Sequence, residues 1–397
     1  MRDDYGYVFL LISRVARSVG IIYITLSSSL YLSALGVKPD VIGVVFLGAI
    51  GFSSVLTFSL GMIGDRYGYK KILIATETLA CVASLILGTV VSNYYLIFTA
   101  LIIGGVGGAA GGIRGAFSPG LTALVASNWK DERERIKRMS FLMSASSFSG
   151  IGGSILLSLR AYINNTIQGY RMLYLISFIL LLISTISLFF VGEVKRPRKT
   201  SKIMSISSFK YISKVIISNS ITGFGLGLAI PLLPLWFNLA FHANSFMIGL
   251  VFTMSYLFTA VGSLVSNKIK AEPLRVASVT RILNGVFLIA MALSPWFPLA
   301  ALIYIIRGLN AGIGSPNRTM VNVRGVSAED FGTASSIQGI ATRLSQMSSG
   351  LSGYLLEYAL PLPLEVGGVL QAIGGYVYMK LLSTTKSSSS YKDYKTE

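Results

Sequence analysis

Twelve apolar stretches, each long enough to cross a lipid bilayer as a helix, occupy almost the whole of this 397-residue chain. A hydrocarbon core of about 30 Å takes roughly 20 mainly apolar residues at the helical rise. Lipid offers the backbone no hydrogen-bond partner, so the crossing segments must satisfy themselves as helices. On that ruler the spans fall at 7–35, 41–63, 72–92, 95–125, 138–159, 171–192, 211–239, 246–267, 274–294, 297–322, 331–355 and 364–384. The expected fold is all-α and integral to the membrane. A charged content of 13%, about half that of a soluble domain, agrees.

The few charges are lopsided, with 34 Lys and Arg against 16 Asp and Glu. If both termini are cytoplasmic, 24 of the basic residues fall on that face, three (Lys38, Arg160, Arg171) on the other, and seven arginines inside spans. By the positive-inside rule this orients the chain in a cell membrane with N- and C-termini in the cytoplasm. The same distribution removes nucleic acid as a partner, since no soluble stretch is long enough to form a binding domain. Cys81 is the single cysteine and lies in an apolar run, so no intrachain disulfide is expected. The first segment contains Arg14 and Arg17 and lacks a small-residue cleavage site, which reads as a retained helix and not a leader.

The longest connection, Glu193 to about Lys210, carries Lys195, Arg196, Arg198, Lys199 and Lys202. It divides the chain into an N-terminal six-helix half (1–192), a basic cytoplasmic linker (193–210), a C-terminal six-helix half (211–385) and a polar tail (386–397). The halves echo each other at offsets near 200 residues. Leu30-Tyr31-Leu32 before Ile42-Gly43 returns as Leu235-Trp236-Phe237 before Ile248-Gly249. Ser118-Pro119 returns as Ser315-Pro316, and Ser149-Gly150-Ile151-Gly152-Gly153 as Ser349-Gly350-Leu351-Ser352-Gly353. Such a duplicated unit, here two pseudo-symmetric six-helix bundles, is the organisation associated with alternating access.

The loop after the second span reads Gly61-Met62-Ile63-Gly64-Asp65-Arg66-Tyr67-Gly68-Tyr69-Lys70-Lys71-Ile72-Leu73. It resembles the loop signature of the major facilitator superfamily, with Gly61, Asp65, Arg66, Gly68, Lys70 and Leu73 in register, and the resemblance extends over the whole chain. It implies a gate motif of Gly61, Asp65, Arg66, Gly68, Lys70 and Lys71, in which Asp65 locks the outward-facing state against the start of the eleventh span near Gly332, Thr333 and Ala334. The corresponding second-half loop, Asn267 to Pro273, lacks the Asp and the glycines, so one lock is expected. Proton-driven drug exporters of this family often carry a central Arg in span 4 and a proline in span 5. Here those places read Gly104 to Gly108 and Ser149 to Gly153, although in general character the chain resembles the drug-efflux members.

Charged side chains inside spans cost about 2.5–3.5 kcal/mol each on insertion scales and are therefore functional candidates. Arg17, Arg307 and Arg343 lie deep, whereas Arg14, Arg318 and Arg114 are close enough to the cytoplasmic interface to snorkel. Candidate cavity residues are Arg17, Tyr31, Arg114, Trp236, Arg307, Asn310, Arg343 and Gln346. Glu77 is the only acid clearly inside a span and is the candidate coupling residue. It and Arg281 sit at matching depths of spans 3 and 9, where each needs a partner or a route to the interface. Stripes of small polar residues on span 5 (Ser140, Ser144, Ser147, Ser154, Ser158) and span 11 (Gln338, Thr342, Ser345, Ser349, Ser352) face either neighbouring helices or water. His242 is read as a solvated loop residue.

The resemblance implies a monomeric secondary transporter working by alternating access among membrane lipids, with a proton as the expected coupling ion and no cofactor or metal. Two versions stay open, the first the leading expectation and the second its alternative. One is an efflux carrier of amphipathic compounds using Tyr23, Tyr31, Phe224, Trp236, Phe237 and Tyr256. The other carries organic or phosphorylated anions on Arg17, Arg307 and Arg343. With one His, one Cys and no clustered acids in the spans, neither a catalytic residue nor a metal site is expected, which argues against a membrane enzyme.

Overall fold

The computed structural model describes residues 2–105, 120–121, 124–125, 128–129, 132–194, 205–266, 268–326 and 331–383, with the backbone alone at 2–5, 58–67, 132–133, 136, 147, 331–333 and 335–336. The main described elements are helices: α1 (Arg2–Ala34), α2 (Pro39–Tyr67), α3 (Tyr69–Thr89), α4 (Tyr94–Ile103), α5 (Glu132–Leu159), α6 (Thr166–Phe189), α7 (Ile206–Ala229), α8 (Leu233–Phe241), α9 (Ser245–Ser266), α10 (Pro273–Ala292), α11 (Phe297–Val323), α12 (Phe331–Gln346), α13 (Ser349–Tyr358) and α14 (Leu362–Ser383). Among the described residues, nine helices are long and apolar enough to cross a membrane. The protein is thus a multi-pass helical membrane protein. Most of the predicted span 95–125, the basic linker at 195–204 and the tail from 384 lie outside the described residues.

Two predicted single spans are each two helices. The stretch 211–239 breaks between α7 and α8, where Ile230-Pro231-Leu232 makes a turn and Pro234 sits in the first turn of the next helix. Proline lacks the N–H for the ladder and its ring crowds the carbonyl four residues back. The stretch 331–355 breaks at Met347 and Ser348, where the amides of Met347, Ser348 and Gly350 bond carbonyls three residues back. Here α12 and α13 pack on α7, and Ser348 Oγ and Ser352 Oγ donate to the Phe224 and Leu228 carbonyls at 2.7 and 2.5 Å.

Packing repeats along the chain. Helix α1 lies against α5 and α6, and α3 against α6; after the linker, α7 lies against α12 and α14, and α10 against α14. The two groups, α1 to α6 and α7 to α14, meet along α2 with α12 and α13, along α5 with α9, and where α1 reaches α8.

The buried apolar side chains fall into three clusters. One is shared by both groups and includes Ile22, Tyr31, Leu87 and Tyr174 with Leu233, Trp236, Phe252 and Tyr304. The other two lie at the opposite end. One is built from the first group around Leu10, Leu73, Leu142 and Leu188, the other from the second group around Tyr211, Leu274, Val321 and Leu382. Among the described residues, then, apolar burial joins the groups at the face away from Leu10 and Leu382, called the far face below, and is divided at the near face.

Small residues permit that closure. At Gly353, a Cβ would overlap the Pro39 carbonyl oxygen at the start of α2, and a Cβ on Gly43 would lie 3.0 Å from the Gly353 amide and 3.1 Å from the Gly350 carbonyl. A Gly353→Val variant is expected to part the two groups at the far face. Nitroxide labels on cysteines placed at Lys38 and Tyr358, with Cys81 replaced by serine, should report a longer distance in the variant. An unchanged distance would show that this contact does not gate the face.

Candidate functional site

The polar side chains of helix α1 reach three neighbouring helices. Arg17 forms an ion pair with Glu77 of α3, and both are buried, Glu77 completely. Ser13 shares a 2.9 Å hydrogen bond with Ser184 of α6, and Ser18 one of 2.6 Å with Ser146 of α5. Arg14, expected to snorkel to the interface, is instead 1% exposed. It lies three residues before Arg17 on α1, a helix that α5 and α6 cover. Arg17 in turn precedes by one turn Ile21 and Ile22, where the shared apolar cluster begins on this helix.

After the linker, α7, α10 and α14 make a corresponding arrangement. Arg281 of α10 donates from Nη2 to Asn219 Oδ1 of α7 at 2.6 Å, and its guanidinium carbon sits 3.9 Å from the centre of the Tyr378 ring on α14. Arg17 with Glu77 and Asn219 with Arg281 thus join corresponding predicted spans, first with third and seventh with ninth. An amide and a tyrosine face stand against the arginine of the second pair, where the first pair has a carboxylate.

Arg307 lies on α11, one turn beyond Tyr304, a member of the shared cluster whose ring centre is 5.8 Å from the guanidinium carbon. It is buried, and among the described residues its Nε has no hydrogen-bond partner. Asn310, on the same face in the sequence, is committed elsewhere: its Nδ2 donates to the Thr280 carbonyl of α10 at 2.7 Å. Asn317 likewise donates to Ser266 Oγ of α9 at 2.9 Å, and Arg318 to the Ala311 carbonyl at 3.1 Å.

Arg343 of α12 reaches across to α2, with Nη1 3.5 Å from the Ser53 carbonyl oxygen, so it bridges the two groups. Gln346 closes α12 beside Gly227 of α7. Tyr31 and Trp236 are 0% and 1% exposed within the shared cluster; Tyr31 packs edge-on to Tyr170 and Tyr174, and Trp236 to Phe237 and Phe241. The far ends of both polar stripes are contacts between helices. Ser352 bonds α7 as described above, and Ser158 Oγ reaches the Phe246 carbonyl of α9 at 3.5 Å, while Ser140 and Ser144 at the near end are exposed. Arg114 lies outside the described residues.

The loop signature is described in part. Gly61, Asp65 and Arg66 fall in the last turns of α2, where the backbone alone is described, so the Asp65 lock lies outside the described side chains. Gly68 has φ of +95°, in the region that favours glycine. It precedes α3, whose N-terminus has no cap from Gly68 itself. The cap comes from Glu193, past the end of α6: Oε1 accepts from the Tyr69 amide at 2.7 Å and Oε2 from the Lys70 amide at 3.0 Å, while Lys70 Nζ donates to the Phe189 carbonyl at 2.8 Å. A Cβ on Gly68 would lie 2.7 Å from Glu193 Oε2. Lys71 is exposed. In the sequence Glu193 reads only as the start of the linker. The signal for its role is the missing cap, because a helix that opens on Gly-Tyr-Lys-Lys must find acceptors elsewhere. Glu193→Gln weakens a charge-assisted cap worth about 0.5–2 kcal/mol. Amide hydrogen exchange at Tyr69 and Lys70 should quicken several-fold, and unchanged protection would refute the cap.

The sequence profile of the Major Facilitator Superfamily matches residues 8–216. No curated protein sequence matches the chain. Among solved structures, the fold is similar to an auto-inhibited POT family peptide transporter, with a TM-score of 0.75, 12% identity and 98% of each chain covered. It is similar to the xylose transporter XylE from E. coli in an inward-open conformation, with a TM-score of 0.74, 13% identity, and 96% of this chain and 97% of that one covered. It is also similar to the human organic anion transporter MFSD10 (TETRAN), with a TM-score of 0.64, 12% identity, and 95% and 99% covered. At such identities the likeness is one of fold, and the three carry different cargoes.

Proposed function

The chain belongs to the Major Facilitator Superfamily, and from that membership we propose a secondary transporter of small organic or phosphorylated anions, working by alternating access between two six-helix halves (1–192 and 211–385). The proposal includes twelve crossings, the near face in the cytoplasm, and a described state that opens there. The charge distribution supports the orientation, and the undivided apolar cluster at the far face supports the state.

One observation carries the choice of anion. Arg307 is buried at the near-side edge of the shared cluster, with an Nε that no described group satisfies. A buried donor on a permanent cation is expensive to leave unmade, and an oxyanion is its natural complement. The wider balance agrees: buried Arg14, Arg17, Arg281 and Arg307 stand against Glu77, the one buried carboxylate among the described residues. An efflux carrier of amphipathic compounds would lean on aromatic faces, yet four of its six candidates, Tyr23, Tyr31, Trp236 and Phe237, are at most 1% exposed in the far-face packing, while Tyr256 is part-buried and Phe224 is 40% exposed. Glu77, paired with Arg17, is the group through which proton coupling would run.

The test is a thermal-shift series on the purified protein with citrate, 2-oxoglutarate and glucose 6-phosphate set against amphipathic cations. Binding to the native state raises stability by about 2.7 kcal/mol at a hundred times Kd. A shift with one or more of the anions is expected; a shift with the cations alone would favour the efflux reading and remove this one.

A further inference from the structure

Positive charge is scarce on the far face, and one of its cations is turned inward. Arg160 follows α5 and begins a short 3-10 turn, Arg160 to Tyr162. Its guanidinium lies over the Tyr170 ring of α6, with the central carbon 4.9 Å from the ring centre. Nε and Nη2 are both buried, and among the described residues neither has a hydrogen-bond partner.

Those two nitrogens form one edge of the guanidinium. Their N–H bonds run parallel, and that fork matches the two oxygens of a carboxylate or of a phosphate group. The ring face of Tyr170 offers electrostatic attraction to the cation but no oxygen to the edge. A second orphan sits close by. Tyr31 packs edge-on to Tyr170, with ring centres 5.9 Å apart, and its hydroxyl is also buried with no partner among the described residues.

The cluster lies on the seam between the two helix groups. Tyr170 and Arg160 belong to the first group, and the Tyr170 hydroxyl shares a 3.1 Å hydrogen bond with Ser245 Oγ, the first residue of α9 in the second group. Parting of the groups at the far face must break that bond. The same motion lifts the start of α9 off the 3-10 turn that carries Arg160, where Phe246 packs edge-on to Tyr162 with ring centres 6.1 Å apart.

We propose that Arg160 is a second anion station, at the far face, which receives the carboxylate or phosphate group of the solute when Tyr170 parts from Ser245. The proposal rests on the anion reading above and adds to it a site distinct from Arg307. In the closed state the start of α9 packs on the turn that carries the cation; in the open state the Nε–Nη2 edge and the Tyr31 hydroxyl hold the oxyanion. The carrier then has one arginine for each direction of opening, Arg307 toward the near face and Arg160 toward the far face.

Transport measured from one side at a time tests this. The full-length protein is reconstituted in vesicles of one orientation, and the probe is whichever of citrate, 2-oxoglutarate or glucose 6-phosphate stabilises the wild type most. Arg160→Gln should raise KM for probe presented at the far face by about tenfold or more, the ordinary effect of losing hydrogen bonds to a charged group. KM at the near face should stay within about twofold. Arg160→Lys keeps the charge without the fork and should fall between. If Arg160→Gln does not fold, the lysine variant still decides through its far-to-near KM ratio.

An equal rise at both faces, or no rise at either, would overturn the proposal while leaving the anion reading intact. A far-face effect present in phosphatidylglycerol vesicles but absent in phosphatidylcholine vesicles would assign the fork to a lipid phosphate and overturn the solute station. No thermal shift with any of the three anions would remove the anion reading itself, and this proposal with it.

Discussion

Glu77→Leu should destabilise the protein by about 3–5 kcal/mol, the usual consequence of removing one partner from a buried ion pair. Glu77 is fully buried on α3, and Arg17 of α1 is nearly so, with Arg14 a further cation three residues away. Deleting the carboxylate leaves two neighbouring guanidinium groups in a low-dielectric interior without it. A different outcome follows from removing both charges. In Arg17→Met with Glu77→Leu, the space is filled by apolar side chains, and such replacements are often neutral or better. The double variant should therefore recover most of the loss, and the two single effects should be far from additive. Thermal unfolding in detergent reads both. Raised salt should change the wild-type value little, because a buried pair is poorly screened. A double variant as unstable as Glu77→Leu alone would show that the carboxylate acts through other groups.

That pair shows where the sequence was legible. The depth of Glu77 and Arg17 follows from counting residues inward from loop to apolar run, and the need for a partner follows from the cost of burial. Which partner answers depends on how each helix is rotated, and Glu77 lies 60 residues from Arg17 in the chain. The same gap hid Asn219 and Tyr378 from Arg281, and Glu193 from the amides of Tyr69 and Lys70. Helix ends were readable from hydropathy to within a few residues for α9, α10 and α11. The interruptions were not, since Pro231 and Pro234 sit in an apolar run that reads as continuous. At Met347 the break has no proline at all; it arises where α12 and α13 meet α7 and the serines beside it bond α7 carbonyls. Helical spacing also misled at Asn310, which shares a face with Arg307 in the sequence but bonds Thr280 across a helix contact.

Arg307→Leu should give the opposite sign of stability effect from Glu77→Leu, and this contrast is the sharpest test of the functional reading. Arg307 is a buried cation whose Nε has no partner among the described residues, so the ligand-free protein carries a desolvation cost that leucine removes. The ligand-free variant should melt higher than the wild type. Binding should move the other way. A hydrogen bond to a charged group contributes about 1.5–3 kcal/mol, and each 1.4 kcal/mol is tenfold in affinity, so affinity for the anion should fall by roughly ten- to a hundredfold. The thermal shift produced by citrate, 2-oxoglutarate or glucose 6-phosphate should shrink accordingly, and flux of the same anion in proteoliposomes should drop at low concentration. Arg307→Lys preserves the charge but not the planar fork and should bind more weakly than wild type and more tightly than leucine. On the anion reading, a site left unsatisfied for its solute exchanges stability for function. Were Arg307→Leu to melt lower than wild type with anion flux unchanged, Arg307 would be a packing residue, and the anion reading would lose the observation that carries it.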